Sequence, residues 1–205
     1  MKERELRALG QMYHPFKVEN STFNQARKAC KEFNESEPWE DTSAFEKLKK
    51  IFGKASDTMV LTPYFYCDHG ENLYFGENFY ANTGLIILDE AKVVFGDNVF
   101  IGPNVNIYTA IHPIDKVIRA TEVELAAPVT IGDDIWIGGS VVINPGVTIG
   151  SGTVIGSGSV VTKDIPENVV AVGNPCKVLR EITKEDEKYW QDQYDLYLER
   201  TKDME

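Results

Sequence analysis

Among the side chains of this sequence that could do chemistry near neutral pH are three histidines: His14, His69 and His112. An imidazole can take up or release a proton at physiological pH, and clustered imidazoles hold zinc. The three are far apart in sequence, and only His112 falls in a segment that interrupts a repeat. The cysteines, Cys30, Cys67 and Cys176, are odd in number and widely spaced. They fit neither a disulfide framework nor a zinc motif and read as reduced packing residues.

The repeat that must position these groups runs from Ile131 to Val161. An aliphatic residue recurs every six positions (Ile131, Ile137, Ile143, Ile149, Ile155, Val161), followed directly by glycine at Gly132, Gly138, Gly150 and Gly156. A second small or aliphatic set runs at Ile135, Val141, Val147, Thr153 and Ser159. A six-residue period belongs to neither a helix nor an ordinary strand, and indicates short strands joined by tight turns that stack coil upon coil. The glycines read as corners, where positive φ or close backbone approach excludes a Cβ. The pattern predicts a mainly β chain, a left-handed parallel β-helix of hexapeptide repeats. It begins earlier at Phe75-Gly76, Ala81-Asn82 and Ile87-Leu88, slips by two residues to Phe95-Gly96, and continues through Ile101-Gly102 and Ile107-Tyr108. Residues 108–128 then lack the pattern and carry charge. A segment that breaks a repeat is expected to loop out from one face, often the binding face, and this one contains His112.

Helical patterns flank the coil. Leu6, Leu9 and Met12 have helical spacing up to the Tyr13-His14-Pro15 step, since a residue before proline leaves the α region. A second helix is expected from Thr22 with Gln25 as capping box and Phe23, Ala26, Ala29, Cys30 and Phe33 on one face. A third is expected from Ser43 with Glu46, carrying Phe45, Leu48, Ile51 and Phe52 up to Gly53. The tail from Thr183 places Trp190, Tyr194, Tyr197 and Leu198 on one side, a face expected to pack. The division is thus a helical region at 1–57, the β-helix at 58–182 with its excursion at 108–128, and a C-terminal helix at 183–205. A chain of 205 residues, 42% hydrophobic, can bury a real core. No apolar run reaches the roughly 18 residues of a membrane span and no signal-peptide pattern opens the chain, so a cytoplasmic protein with no membrane partner is expected. A net charge of −11 argues against nucleic-acid binding, which needs clustered Lys and Arg.

Several runs carry a family resemblance: residues 78–82 (Asn-Phe-Tyr-Ala-Asn), 108–113 (Tyr-Thr-Ala-Ile-His-Pro), 131–139, 161–166 and 173–180 (Gly-Asn-Pro-Cys-Lys-Val-Leu-Arg). Together they resemble the maltose and galactoside O-acetyltransferases, over nearly the whole chain. The resemblance implies transfer of an acetyl group from acetyl-CoA to a hydroxyl, without a metal, by a homotrimer with active sites between neighbouring subunits. His112 is similar to the family's catalytic histidine, a base matched to a hydroxyl that attacks a thioester. Asn82 matches the asparagine that donates to the developing oxyanion. Asp68, Tyr80, Asn82 and Glu90 match acceptor-binding positions. Gly139, Ser157, Thr162, Lys163, Lys177 and Arg180 match the CoA-contacting ones, the three cations suiting phosphates. Trp136 would lie near the catalytic loop or pack in the core. Two positions depart from the pattern: His14 stands where the family shows Asp, and Phe23 where it shows Arg. A changed set of polar contacts changes which acceptor is oriented, so a sugar, serine or a hydroxylated antibiotic all stay open. Two other readings compete, a zinc enzyme of the carbonic-anhydrase type and a non-catalytic β-helix scaffold. The first needs a histidine cluster and the second predicts no thioester turnover; His112 in the excursion favours the acetyltransferase.

Overall fold

The aliphatic period closes into a three-sided coil in the computed structural model, which describes residues 1–202; the last three residues of the expected C-terminal helix fall outside them. The first face stacks strands Val60–Leu61, Tyr80–Ala81, Phe100–Ile101, Trp136–Ile137, Val154–Ile155 and Val169–Val172 in parallel. The second stacks Phe65–Cys67, Leu85–Leu88, Asn106–Tyr108, Val142–Ile143 and Val160–Val161. The third stacks Leu73–Tyr74, Val93–Phe95, Val129–Ile131 and Thr148–Ile149. The chain visits the faces in that order turn after turn, giving a left-handed parallel β-helix.

Both repeat sets point inward. Ile137, Ile143, Ile149, Ile155 and Val161 are fully buried, as are Val141, Thr153 and Ser159. At the wide end Phe75, Phe79 and Phe95 fill the coil, with ring centroids 4.7 to 5.1 Å apart, a spacing at which aromatic pairs attract. The glycine after each aliphatic residue answers to close approach rather than to φ. A Cβ at Gly138 would stand 2.6 Å from the Ser157 nitrogen of the next coil. Positive φ falls two residues later, at Asp134, Ser140, Gly152 and Gly158. The slip of two residues also has a structural cause. Leu61 pairs with Ala81 and Ala81 with Ile101, a step of 20 residues, whereas Ile137 pairs with Ile155, 18 residues on. The longer coils carry an extended corner between the second and third faces, at residues 68–72 and 89–92. Asp89 braces that corner by accepting the N–H groups of Asp68, His69 and Gly70 at 2.8, 2.8 and 2.7 Å.

The helices differ from expectation at their ends. Helix α1 (Glu3–Ala8) stops before Leu9, because Gly10 takes a φ of +66° and turns the chain. Leu9 and Met12 are exposed, off the helix. In α2 (Phe23–Asn34) Thr22 has helical φ/ψ and makes no side-chain cap, since a capping residue needs an extended backbone. Its hydroxyl sits 3.3 Å from His69 Nδ1 instead. α3 (Ser43–Lys49) opens with Asp41 accepting the Ser43 N–H, so Ser43 is inside the helix and forms no capping box with Glu46. Ala26, Cys30, Phe33, Leu48 and Phe52 cover the wide end of the coil, while Phe23 is exposed. All three cysteines are free and buried, with Cys30 and Cys67 Sγ atoms 3.7 Å apart. The interruption contains the short helix α4 (Lys116–Arg119), and α5 (Lys184–Thr201) ends the described chain after strand Lys177–Glu181, which returns antiparallel to Val169–Val172. The expected packing of α5 is not met within one chain: Trp190, Tyr194, Tyr197 and Leu198 are all exposed. Trp136 likewise points outward from the first face, 58% exposed, so it is no core residue. No helix among the described residues is long and apolar enough to cross a membrane.

Candidate active site

The excursion is a hairpin arm rather than an unstructured loop. Ala110–Ile111 pairs antiparallel with Leu125–Ala126, and the buried Thr109 closes the base, its carbonyl accepting the Ala127 N–H at 2.9 Å. At the tip, Asp115 caps α4 by accepting the Val117 and Ile118 N–H groups, and Arg119 donates to the carbonyls of Pro113 and Ile114. His112 leaves the end of the first arm strand, its side chain 64% exposed. It borders a shallow cleft of about 380 Å³ with Leu88, Tyr108, Asn144 and Pro145.

Behind His112 stands a polar cluster that composition and spacing did not reveal. Glu124 Oε2 lies 3.8 Å from His112 Nε2, an ion-pair distance, and is itself buried. Its other oxygen receives the hydroxyl of the buried Tyr13, which also reaches Glu90 at 3.0 Å. Glu90 is held further by Arg7 at 2.9 Å and by His69 at 3.0 Å. Burial opposes charge on Glu90, yet the His69 and Arg7 contacts outweigh it and hold the carboxyl at about 2. Burial pushes Glu124 up, only partly offset by the Tyr13 hydrogen bond. Burial likewise lifts Asp89 to about 6 and raises Asp68, whose half-buried carboxylate also feels Glu90. These residues come from four separate stretches of chain; the family resemblance marks Asp68 and Glu90, whereas Arg7, Tyr13, Asp89 and Glu124 are identified only by their place in space behind His112.

The acceptor-side residues Asp68 and Glu90 do gather with His112, on the corner between the second and third faces. Thr162 and Lys163 lie on the same corner, at its narrow end. Asn82, Gly139 and Ser157 form a column on a different corner, between the first and second faces. There Asn82 accepts the Thr83 N–H with its side-chain oxygen, and its amide Nδ2 has no hydrogen-bond partner among the described residues. From Asn82 to Ser157 is three coil steps, roughly 14 Å at about 4.8 Å each. The column is open at its end, where a Cβ on Gly158 would meet nothing within 4 Å. Tyr80 is half-buried on the first face beside Phe100. Lys177 and Arg180 sit on the exposed strand at the narrow end, where Arg180 grips Asp186 at 2.6 and 2.9 Å. The whole width of the second face separates His112 from Asn82 in one chain.

The two departures are also visible. His14 lies 3.6 Å from Glu122, with its Nδ1 buried and without a hydrogen-bond partner among the described residues. The Phe23 ring stands edge-on to His69, and the Arg27 guanidinium covers it at 5.4 Å. Another cavity, about 530 Å³, opens behind Glu90 between α1 and the third face, lined by Arg4, Glu71 and Lys92 among others; its carboxylates, Glu71 and Glu90, are paired with Arg4 and Arg7. Among the described residues no three His, Cys, Asp or Glu side chains are grouped to hold a metal ion.

A coil of such hexapeptide turns is the fold of the hexapeptide-repeat transferases. Residues 128–163 match the family model described as bacterial transferase hexapeptide (six repeats). The galactoside O-acetyltransferase of Escherichia coli K12 is 46% identical over 159 residues, covering 78% of each chain. Among solved structures, a maltose O-acetyltransferase from Clostridium difficile 630 superposes with a TM-score of 0.86 at 44% identity, covering 89% of this chain and 98% of the other. A galactoside acetyltransferase in complex with coenzyme A gives 0.85 at 40% identity, covering 91% and 94%. The chain belongs to the galactoside and maltose O-acetyltransferase family and is an acyltransferase.

Proposed function

We propose that this protein moves the acetyl group of acetyl-CoA to a hydroxyl of a small acceptor, a sugar first among the candidates, with His112 as general base. The observation that carries the reading is the exposed His112 at the lip of a cleft, backed by the buried carboxylate of Glu124. The ring nitrogen turned away from Glu124 takes the hydroxyl proton as the acceptor oxygen attacks the thioester carbonyl carbon. The imidazolium so formed faces Glu124, which stabilises it. The carbonyl oxygen becomes an oxyanion, for which the unpartnered amide of Asn82 is the donor. Collapse breaks the carbon–sulfur bond, and the CoA thiolate leaves with the proton that His112 returns.

Asp68, with a carboxylate that has no hydrogen-bond donor among the described residues, and Tyr80 are the groups we assign to the acceptor. Glu90 is committed to Arg7, His69 and Tyr13 and acts there as a fixed wall. We assign acetyl-CoA to the column of Gly139 and Ser157, with Lys177 and Arg180 at its phosphate end and with Thr162 and Lys163, which lie on the other corner, contributed by the neighbouring subunit. Small residues and open space beside Ser157 suit a long, thin arm, and exposed lysines suit phosphates. Because His112 and Asn82 occupy different corners of one coil, a complete site requires two copies; we place it between neighbours of a cyclic homotrimer, each arm reaching the next subunit. The test is CoA thiol release from acetyl-CoA with a panel of sugars, sugar alcohols, serine and hydroxylated antibiotics. His112→Ala is expected to lower kcat by about 10²-fold or more with an unchanged circular dichroism spectrum. Absence of acceptor-dependent release, or turnover that survives the substitution, overturns the reading.

A further inference from the structure

At Tyr13 the N-terminal segment grips the catalytic arm twice. Its backbone forms an isolated antiparallel bridge with Glu124: the Tyr13 N–H donates to the Glu124 carbonyl at 3.0 Å, and the Glu124 N–H returns the bond at 2.9 Å. Its side chain then reaches the same residue, the hydroxyl 2.5 Å from Glu124 Oε1 and 3.0 Å from Glu90 Oε2. A phenol carries one proton and can donate to one carboxylate at a time. Glu90 already has two cationic partners, Arg7 and His69. Glu124 has no other side-chain donor within hydrogen-bond range among the described residues, so the phenolic proton belongs to it.

We infer that Tyr13 is a positioning residue for the acetyl transfer: its hydroxyl keeps Glu124 ionised and aimed at His112, so that a residue of the N-terminal segment completes the catalytic arm. The inference rests on the reading of His112 as the base. The groups around Glu124 favour such a donor. Burial disfavours charge there and Glu90 and Asp68 are negative neighbours, while His112 faces the carboxylate across 3.8 Å. Without the phenol the carboxylate loses its one hydrogen-bond donor among the described residues, and burial and its negative neighbours push it toward the protonated form, which offers less to the imidazolium. The ring itself packs with Val18, Ala126, Leu6 and Ala91, contacts that phenylalanine preserves.

The test compares Tyr13→Phe in two backgrounds. Against wild type it is expected to lower kcat by about three- to tenfold, with KM for acetyl-CoA and for the acceptor within about twofold, because the lost interaction matters only once the imidazolium forms. In a Glu124→Gln background, with no carboxylate left to hold, the same change is expected to alter kcat by less than about twofold. Replacing Tyr13 with 3-fluorotyrosine, which keeps a donor in the same frame, is expected to retain at least half of wild-type kcat. This variant decides the matter should Tyr13→Phe lose its native circular dichroism spectrum. Equal losses in both backgrounds, a rise in acceptor KM at constant kcat, an unchanged kcat, or a fluorotyrosine enzyme with its kcat well below half of wild type would each overturn the inference. His112→Ala measured alongside separates the two failures: if it keeps its turnover the base assignment is at fault, and if it is dead while Tyr13→Phe is active only the role of Tyr13 falls.

Discussion

Replacing Glu124 by glutamine removes a charge beside His112 while keeping size and shape, and the geometry sets the expected loss. At 3.8 Å between Nε2 and Oε2, Coulomb attraction between imidazolium and carboxylate is about 1 kcal/mol in a water-like medium and about 4 kcal/mol at an effective dielectric of about 20. Glu124 is buried but His112 is 64% exposed, which places the pair toward the screened end, at about 1–2 kcal/mol. That attraction exists only when the ring is charged, so it appears in kcat and not in KM. Glu124→Gln is therefore expected to lower kcat by roughly 5- to 30-fold, with both KM values near wild type. Steady-state kinetics following free CoA thiol with a saturating acceptor measures this. A kcat within twofold of wild type would show that the carboxylate does not act on His112. A loss as large as that of His112→Ala would show that Glu124 takes part in proton transfer itself, contrary to the role given to it here.

Two further outcomes are expected. Glu90 is held at about 2, against an ordinary value of 4.5, by contacts to His69 and Arg7 that overcome burial. The unfolded chain thus binds more protons between about 4.5 and 2. This contribution to stability is present above pH 4.5 and is lost as pH falls through that window, so chemical denaturation at stepped pH should show a fall there that Glu90→Gln abolishes; an identical fall in the variant would remove Glu90 from it. His14→Asp combined with Phe23→Arg is expected to raise specificity constants on simple glycosides by about tenfold, since groups that pair with hydroxyls reward ligands that offer them. Unchanged constants would mean that neither side chain lines the acceptor pocket.

What the sequence disclosed follows from which features are periodic. The inward sets from Ile131 to Val161 recur because every turn of a coil repeats one environment, and all of them are buried as read. Residues 108–128 stood out for the opposite reason, and the hairpin arm with His112 is there. The two-residue slip at Phe95 marked a widened corner, whose acidic brace Asp89 only the fold reveals. Arg7, Tyr13, His69, Glu90 and Glu124 come together from stretches of chain with no common spacing, so no pattern within a window could join them. The capping boxes at Thr22 and Ser43 failed for a local reason: the residue types were present, but neighbouring contacts to His69 and Asp41 took the side chains. The aromatic side of α5 was read as packing, and one chain offers it nothing to pack on; of the two places open to Trp136, its outward side chain excludes the core.

The central claim, a site assembled from His112 of one subunit and Asn82 of the next, is tested most directly by mixing two inactive enzymes. His112→Ala and Asn82→Ala subunits, unfolded together in equal amounts and refolded, reassort at random. In a cyclic trimer each interface then has a chance of one half times one half of receiving an intact histidine from one side and an intact asparagine from the other, so about a quarter of wild-type activity is expected. Light scattering and native mass spectrometry on the same sample establish that mixed trimers have formed. Activity near a quarter supports the shared site; mixed trimers with no more activity than either parent contradict it.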